Sequence, residues 1–231
     1  MAVNLVHSWL HRVETGWDPI SPEYAQDYAQ RASKLYCNAG LVERLETLAN
    51  GLRDKRVLDL AGGPGQYSVL FAQRGARVVW HDVSREYERI ARNRVLANRL
   101  EVEFSLGYLE SAKKFGPDAF DLVFCRVAWY YSRSDRRFAN LLYSLLKPGG
   151  LGYVECDTPA YAKPRGWRRC QHWLNDYLWW KIGHPLPPHG RIASLLHKYP
   201  LRRLEVDYSS PLQDIVIFTK SKPAFTCNTP N

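Results

Sequence analysis

Two carboxylates and three glycines stand in this chain where a nucleoside could be held. Val57-Leu58-Asp59-Leu60 reads as a buried strand running into the turn Ala61-Gly62-Gly63-Pro64-Gly65, and a helix follows. Val79-Trp80-His81 belongs to a second strand, which ends in Asp82. Glycine lets backbone approach a ligand where any Cβ would clash. A carboxylate at a strand tip offers acceptor oxygens to both hydroxyls of a ribose. Strand, glycine turn, helix, strand and acid form the layout of a nucleoside-binding βαβ unit. Each acid also has a plainer role open to it. Asp59 can cap the turn after its strand, and Asp82 can be a charge at the N-terminus of the helix that Ser84 begins.

The turn departs from the dinucleotide fingerprint G-x-G-x-x-G. Gly62, Gly63 and Gly65 are followed by Gln66, Tyr67 and Ser68, so the glycine that packs helix against sheet is missing from its place. Pro64 sits where the helix should begin, which suits a first-turn proline. The stretch Asp59-Leu60-Ala61-Gly62-Gly63-Pro64-Gly65 resembles motif I of the class I S-adenosylmethionine-dependent methyltransferases, D-x-G-x-G-x-G, with Ala61 in place of the first glycine. Phe120-Asp121-Leu122-Val123 is similar to that family's F-D-x-V strand, and Leu146-Lys147-Pro148-Gly149-Gly150 to its L-K-P-G-G turn. The resemblance runs from Val57 to Glu155, and the flanks match nothing recognisable.

The resemblance implies a small-molecule methyltransferase with S-adenosyl-L-methionine as cofactor and S-adenosyl-L-homocysteine as product. It places backbone around Gly62, Gly63 and Gly65 against the methionine part. Asp59 would hold the loop and accept from the α-ammonium, and Asp82 would take the ribose. Many members place an acid after strand three for adenine. Here that place holds Tyr108, so stacking on Tyr108 and the backbone of Leu109 are the expected contacts, with Glu110 as a substitute. Arg126, at the tip of strand four, would contribute backbone near the sulfonium.

Methyl transfer asks a protein mainly to align and desolvate its reactants. A hydroxyl acceptor usually needs a base as well, and the candidates are Tyr131, His11 and His184, with His7, His81, His172 and His189 behind them. Trp129 and Tyr130 follow strand four and are candidate acceptor contacts; the alternative is that they are core. Tyr161 to His189 is rich in tryptophan, with Trp173, Tyr177 and Trp180 on one helical face. It reads as a lid that lines an acceptor pocket together with Trp17 and Tyr28 from the N-terminal helices. Aromatic walls suit an aromatic, polyketide-like or sugar acceptor. The competing role for this segment is a hydrophobic core or a dimer contact. His7 and His11 share a helical face, but no third ligand accompanies them, so no metal is expected.

These residues need a scaffold of alternating elements. Strands are expected at Arg56–Leu60, Arg77–His81, Glu101–Ser105, Phe120–Cys125 and Leu151–Cys156, with two more at Leu201–Tyr208 and Leu212–Thr219. Helical periodicity fills Ser21 to Asn50 and the intervals between strands. The Lys147-Pro148-Gly149-Gly150 run should break the chain before strand five. The pattern is α/β, a Rossmann-like doubly wound seven-stranded sheet, mostly parallel, with the last strand antiparallel as the family commonly has it. Residues 1–50 read as a helical cap and 51–220 as the cofactor-binding domain. The lid is inserted at about 160–190, and 221–231 is a flexible tail.

Composition narrows the classes. The chain has 231 residues, room for one such domain with a modest cap. No stretch approaches the ~20 apolar residues of a membrane span, and Met1 to Arg12 does not read as a secretory leader. Five scattered cysteines without a CxxC pair fit a reducing compartment, so a cytoplasmic location is expected. The net charge of +9 raises an RNA or other macromolecular substrate as the alternative. Against nucleic acid, the Phe124-Cys125-Arg126-Val127 tip lacks the [ND]-P-P-[YF] signature of base-amine methylation. A non-catalytic cofactor-binding subunit is disfavoured by the intact acids and glycine turn. A dehydrogenase is disfavoured by the missing third glycine. A small-molecule substrate, and a monomer or homodimer, are the expected partnerships.

Overall fold

The computed structural model describes residues 10–32, 37–159, 166–177, 181 and 183–222. Its elements are α1 (Pro22–Arg31), α2 (Ala39–Leu48), β1 (Arg56–Leu60), α3 (Gln66–Gln73), β2 (Arg77–Asp82), α4 (Arg85–Ala97) and β3 (Val102–Leu106). There follow β4 (Phe120–Arg126), α5 (Asp135–Leu145), β5 (Leu146–Asp157), α6 (Trp167–Tyr177), α7 (Arg191–Leu196), β6 (Leu201–Asp207) and β7 (Gln213–Lys220). The strands form one seven-stranded sheet in the order β3-β2-β1-β4-β5-β7-β6. β1 to β5 run parallel, and β7 is antiparallel to both β5 and β6. This is the doubly wound, mostly parallel sheet that the pattern of elements predicts.

The central strands are buried on both faces, which is what a parallel sheet covered by helices requires. After Arg56, all of β1 is buried. Phe138, Ala139, Leu142 and Leu145 of α5 pack with Leu58, Val123 and Val154 on one face. Tyr67 and Phe71 of α3 and Val42 and Leu45 of α2 pack with Phe124 and Tyr153 on the other. Ser84, Asn38 and Ser134 cap α4, α2 and α5, each side chain accepting from a backbone N–H inside its helix.

Two expectations change. The helical stretch from Ser21 to Asn50 divides into α1 and α2, with residues 33–36 outside the described set. Strand five starts at Leu146, because Leu146 already pairs with Phe120. The Lys147-Pro148-Gly149-Gly150 turn therefore lies inside the strand, as a register shift opposite Phe120 and Leu122. The lid is described through α6, Lys181 and residues 183–189. Trp180, Tyr161, His7 and the tail beyond residue 222 lie outside the described residues, as do the side chains of His172 and Tyr177. No described helix is long and apolar enough to cross a membrane.

Candidate active site

The C-terminal ends of β2, β1, β4 and β5, with the start of β7, make one continuous rim. In open α/β sheets this is where ligands bind, at the point where strand order reverses. The reversal here falls between β1 and β4.

The glycine turn sits at the β1 end. Trp80 is fully buried beneath it and donates its indole N–H to Gly63 O at 2.9 Å. A Cβ on Gly62 would lie 2.4 Å from Trp80 Cδ1, so Gly62 is required by packing from below. A Cβ on Gly65 would lie 2.6 Å from Ala91 Cβ. Gly65 thus lets the start of α3 approach α4. Gly63 differs from both: its φ is +50°, and a Cβ there would meet nothing within 4 Å. Open space over bare backbone is a cradle that fits a ligand. Ala61 holds φ at +61°, a left-handed conformation that glycine adopts without cost and alanine does not.

Both acids sit under this turn. Asp59 is 2% exposed and accepts from Ser68 Oγ at 2.6 Å. Burial pushes its carboxyl up to about 7. Asp82 accepts from Gly63 N through Oδ2 and from Ser84 N through Oδ1, each at 3.0 Å. Burial raises its pKa, and those backbone donors oppose the rise. Each Asp82 oxygen keeps a second lone pair for a hydroxyl donor. Asp82 therefore both clamps the turn and can receive a ribose.

The N-terminal segment straps the β2–β3 end of the rim. Asp18 Oδ2 accepts from Glu86 N at 3.0 Å and from Ser84 Oγ at 3.2 Å. Tyr108 donates to His11 O at 2.7 Å, and Trp17 stacks on Tyr108 with centroids 6.2 Å apart. Trp17 and His11 accordingly lie beside Tyr108, over whose ring the Arg133 guanidinium from the loop after β4 also sits at 5.6 Å. Tyr28 packs on Tyr87 of α4 at 5.7 Å, again near Asp82. Burial raises the Tyr87 pKa, and Tyr28, Asp82, Tyr24 and Tyr131 add to it. His81 is wholly buried, with Nδ1 2.7 Å from Ser105 Oγ and Nε2 3.0 Å from Tyr108 O. Burial lowers it to about 4, so it is a neutral fastener for the Tyr108 loop and not a base.

Beyond the glycine turn, Arg126 ends β4, and its Nε donates to Glu155 Oε2 at 2.7 Å. Tyr153 Oη donates to the same oxygen at 2.7 Å, and Gln213 Nε2 donates to Oε1 at 2.9 Å. Val127, the next residue, is β-branched yet holds φ at +55°, its N–H bonded to Glu155 O at 2.7 Å. Backbone strain of this kind concentrates at working sites. Trp129 corrects an expectation. It is fully buried against Phe138 and its indole N–H is used by Asp135 at 2.7 Å, so it belongs to the core. Tyr130 and Tyr131 stay near the opening with centroids 4.4 Å apart, and His184 meets Tyr131 edge-on at 5.0 Å. Trp173, on α6, is 54% exposed. Among the described residues no group of three or more His, Cys, Asp or Glu is placed to hold a metal.

Residues 57–150 match a family described as a methyltransferase domain. A ubiquinone biosynthesis O-methyltransferase from Idiomarina loihiensis is 28% identical over 106 residues, 46% of this chain and 44% of that protein. A ubiquinone/menaquinone biosynthesis C-methyltransferase from Methylococcus capsulatus is 34% identical over 107 residues, 45% of this chain and 43% of that protein. The match spans less than half the length of these curated relatives. The crystal structure of a SAM dependent methyltransferase from Aquifex aeolicus superposes with a TM-score of 0.61 at 16% identity, covering 87% of this chain and 98% of that one, which is a likeness of fold. The matched profile over residues 57–150, the motif turn from Asp59 to Gly65 and the sheet order are like those of a methyltransferase domain of the class I S-adenosylmethionine-dependent kind.

Proposed function

We propose that this chain transfers a methyl group from S-adenosylmethionine to a hydroxyl of a small organic acceptor. The observation that carries the reading is the open backbone at Gly63, tied to Asp82 at the strand tip. When bound, the cofactor supplies an electrophilic methyl group on a positively charged sulfur. Asp82 would hold the ribose, Tyr108 and Leu109 the adenine, and the turn with Asp59 the methionine end. A neighbouring ammonium would favour the ionised form of Asp59 and draw its raised pKa down. Arg126 and Val127 then present the β4 tip to the reacting centre.

The acceptor would enter past Tyr130 and Tyr131, whose rings suit an aromatic, polyketide-like or sugar metabolite. The relatives' names, one an O-methyltransferase and one a C-methyltransferase, support a small-molecule acceptor. The net charge of +9 favours an RNA substrate instead. Against it, the described rim carries the carboxylates of Asp18, Asp82 and Asp157, which repel a polyanion.

Titration calorimetry with S-adenosylmethionine and S-adenosylhomocysteine, with NAD as control, is the test. Micromolar binding of the first two and none of NAD is expected. Heat from neither would overturn the reading.

A further inference from the structure

The sequence offers histidines and Tyr131 as the base for a hydroxyl acceptor, yet the acceptor end of the rim carries a different group. Asp157 is the last residue of β5, and Gln213, the first residue of β7, is its register partner. Tyr153, Glu155 and Asp157 alternate onto one face of β5. Glu155 is buried and accepts from three donors, Arg126, Tyr153 and Gln213. Arg126 offsets the Glu155 charge at 2.7 Å. The Gln213 amide reaches on to Asp157 Oδ1 at 3.5 Å. One arginine faces two carboxylates, so this corner keeps the negative charge of Asp157.

The order of the strands says what that charge is beside. Across the rim the tips run Asp82 on β2, Ala61 after β1, Arg126 on β4, Asp157 on β5 and Gln213 on β7. Neighbouring strands are about 4.8 Å apart, so Asp157 lies roughly three spacings, about 14 Å, from the Asp82 strand. The nucleoside end belongs to β2 and β3 and the glycine turn to β1, so the acceptor's side begins at β4. Asp157 is the first ionisable group beyond it without a close ion pair among the described contacts. Tyr130 stands next to it, and the Asp157 charge helps keep the Tyr130 phenol protonated, after burial and Tyr131. His11 packs against Trp17 and Tyr108.

We propose that Asp157, held by Gln213 beside the Arg126–Glu155 pair, receives the hydroxyl proton of the acceptor, and that this subsite takes neutral or cationic phenol-like hydroxyls in preference to anionic ones. The proposal rests on the methyl-transfer reading. The acceptor O–H bond breaks toward Asp157, and its electron pair forms the new oxygen–carbon bond. The carbon–sulfur pair leaves with the sulfur of the methyl donor, so Asp157 ends protonated and the donor's positive charge is discharged.

The test uses the full chain loaded with S-adenosylhomocysteine and three para-substituted phenols: tyramine, 4-methylphenol and 4-hydroxybenzoate. Calorimetry should show 4-hydroxybenzoate binding at least tenfold more weakly than the other two, and Asp157→Asn should erase that gap while leaving S-adenosylhomocysteine affinity unchanged. With S-adenosylmethionine, Asp157→Asn should lower kcat about 100-fold or more, the usual worth of a positioned base. KM should stay within about threefold, the acid limb of the pH profile should vanish, and Asp157→Glu should restore part of the rate. Equal discrimination and turnover in wild type and Asp157→Asn would overturn the proposal. So would binding of none of the phenols to loaded protein. Failure of wild type to bind S-adenosylhomocysteine at all would instead strike the methyl-transfer reading, and this subsite with it.

Discussion

At the scale of single residues, the site is built by contacts that hide their purpose in the chain. The Asp82 carboxylate accepts from the backbone N–H groups of Gly63 and Ser84, and its spare lone pairs are what a ribose would use. Asp82→Ala should weaken S-adenosylhomocysteine binding by about 1–3 kcal/mol, the usual loss for a buried polar partner. Unchanged affinity in calorimetry would mean that the ribose lies elsewhere. Ala61 stands where the family has glycine and is forced to φ +61°. Relief of that strain should make Ala61→Gly more stable by about 1 kcal/mol, less the entropy that glycine adds to the unfolded chain. Urea unfolding that shows Ala61→Gly to be weaker would contradict the strain argument.

At the scale of elements, the informative joint lies where β5, α7 and β7 meet. His189 Nδ1 is 2.7 Å from Asp214 Oδ1 and Nε2 is 2.6 Å from Pro211 O. Both of these partners are acceptors, an arrangement that favours the doubly protonated ring. The Pro211 carbonyl and then the Asp214 carboxylate raise its pKa from the ordinary 6.5. Asp214 also accepts from Gly190 N at 2.8 Å, while the Thr158 hydroxyl stands 3.1 Å from Nε2 and Tyr208 lies edge-on. A raised folded-state pKa means that this stabilisation is complete below about pH 6.5 and is lost as pH climbs through the raised value. The melting temperatures of wild type and His189→Gln should therefore differ most at acid pH and converge above neutrality. A gap that widens with pH would refute the imidazolium. The ring is substantially exposed, so solvent will keep the effect small.

At the scale of the whole molecule, a buried ion pair ties the segment after α6 to the start of α5. Lys181 follows α6 and is 1% exposed. Its Nζ lies 2.7 Å from Asp135 Oδ1 and also donates to Trp129 O and Ser132 Oγ. Its backbone N–H donates to Arg133 O at 2.7 Å. Removing Lys181 would leave the Asp135 carboxylate with the more distant Arg191, 3.6 Å away, and the Trp129 indole N–H. Lys181→Met should cost about 1–3 kcal/mol in chemical denaturation, the usual loss for a buried partner of a charged group. A cost below about 1 kcal/mol would show that the segment after α6 is not anchored there.

The nucleoside half of this protein is legible in the order of the chain. Asp59, the turn from Ala61 to Gly65 and Asp82 lie within one βαβ unit, and local order in the chain becomes local order in space. The sheet was legible for the same reason: hydrophobic runs alternate with helical stripes, and burial follows period. The half proposed for the acceptor is set by packing. Packing set Gln213 beside Asp157 by inserting β7 next to β5, and it laid Lys181 against Asp135. It turned Trp129 inward and carried Trp17 and His11 across to Tyr108. None of these pairings leaves a periodic trace in the chain. They depend on strand order and on which polar group finds a buried partner, and those are settled when distant segments pack.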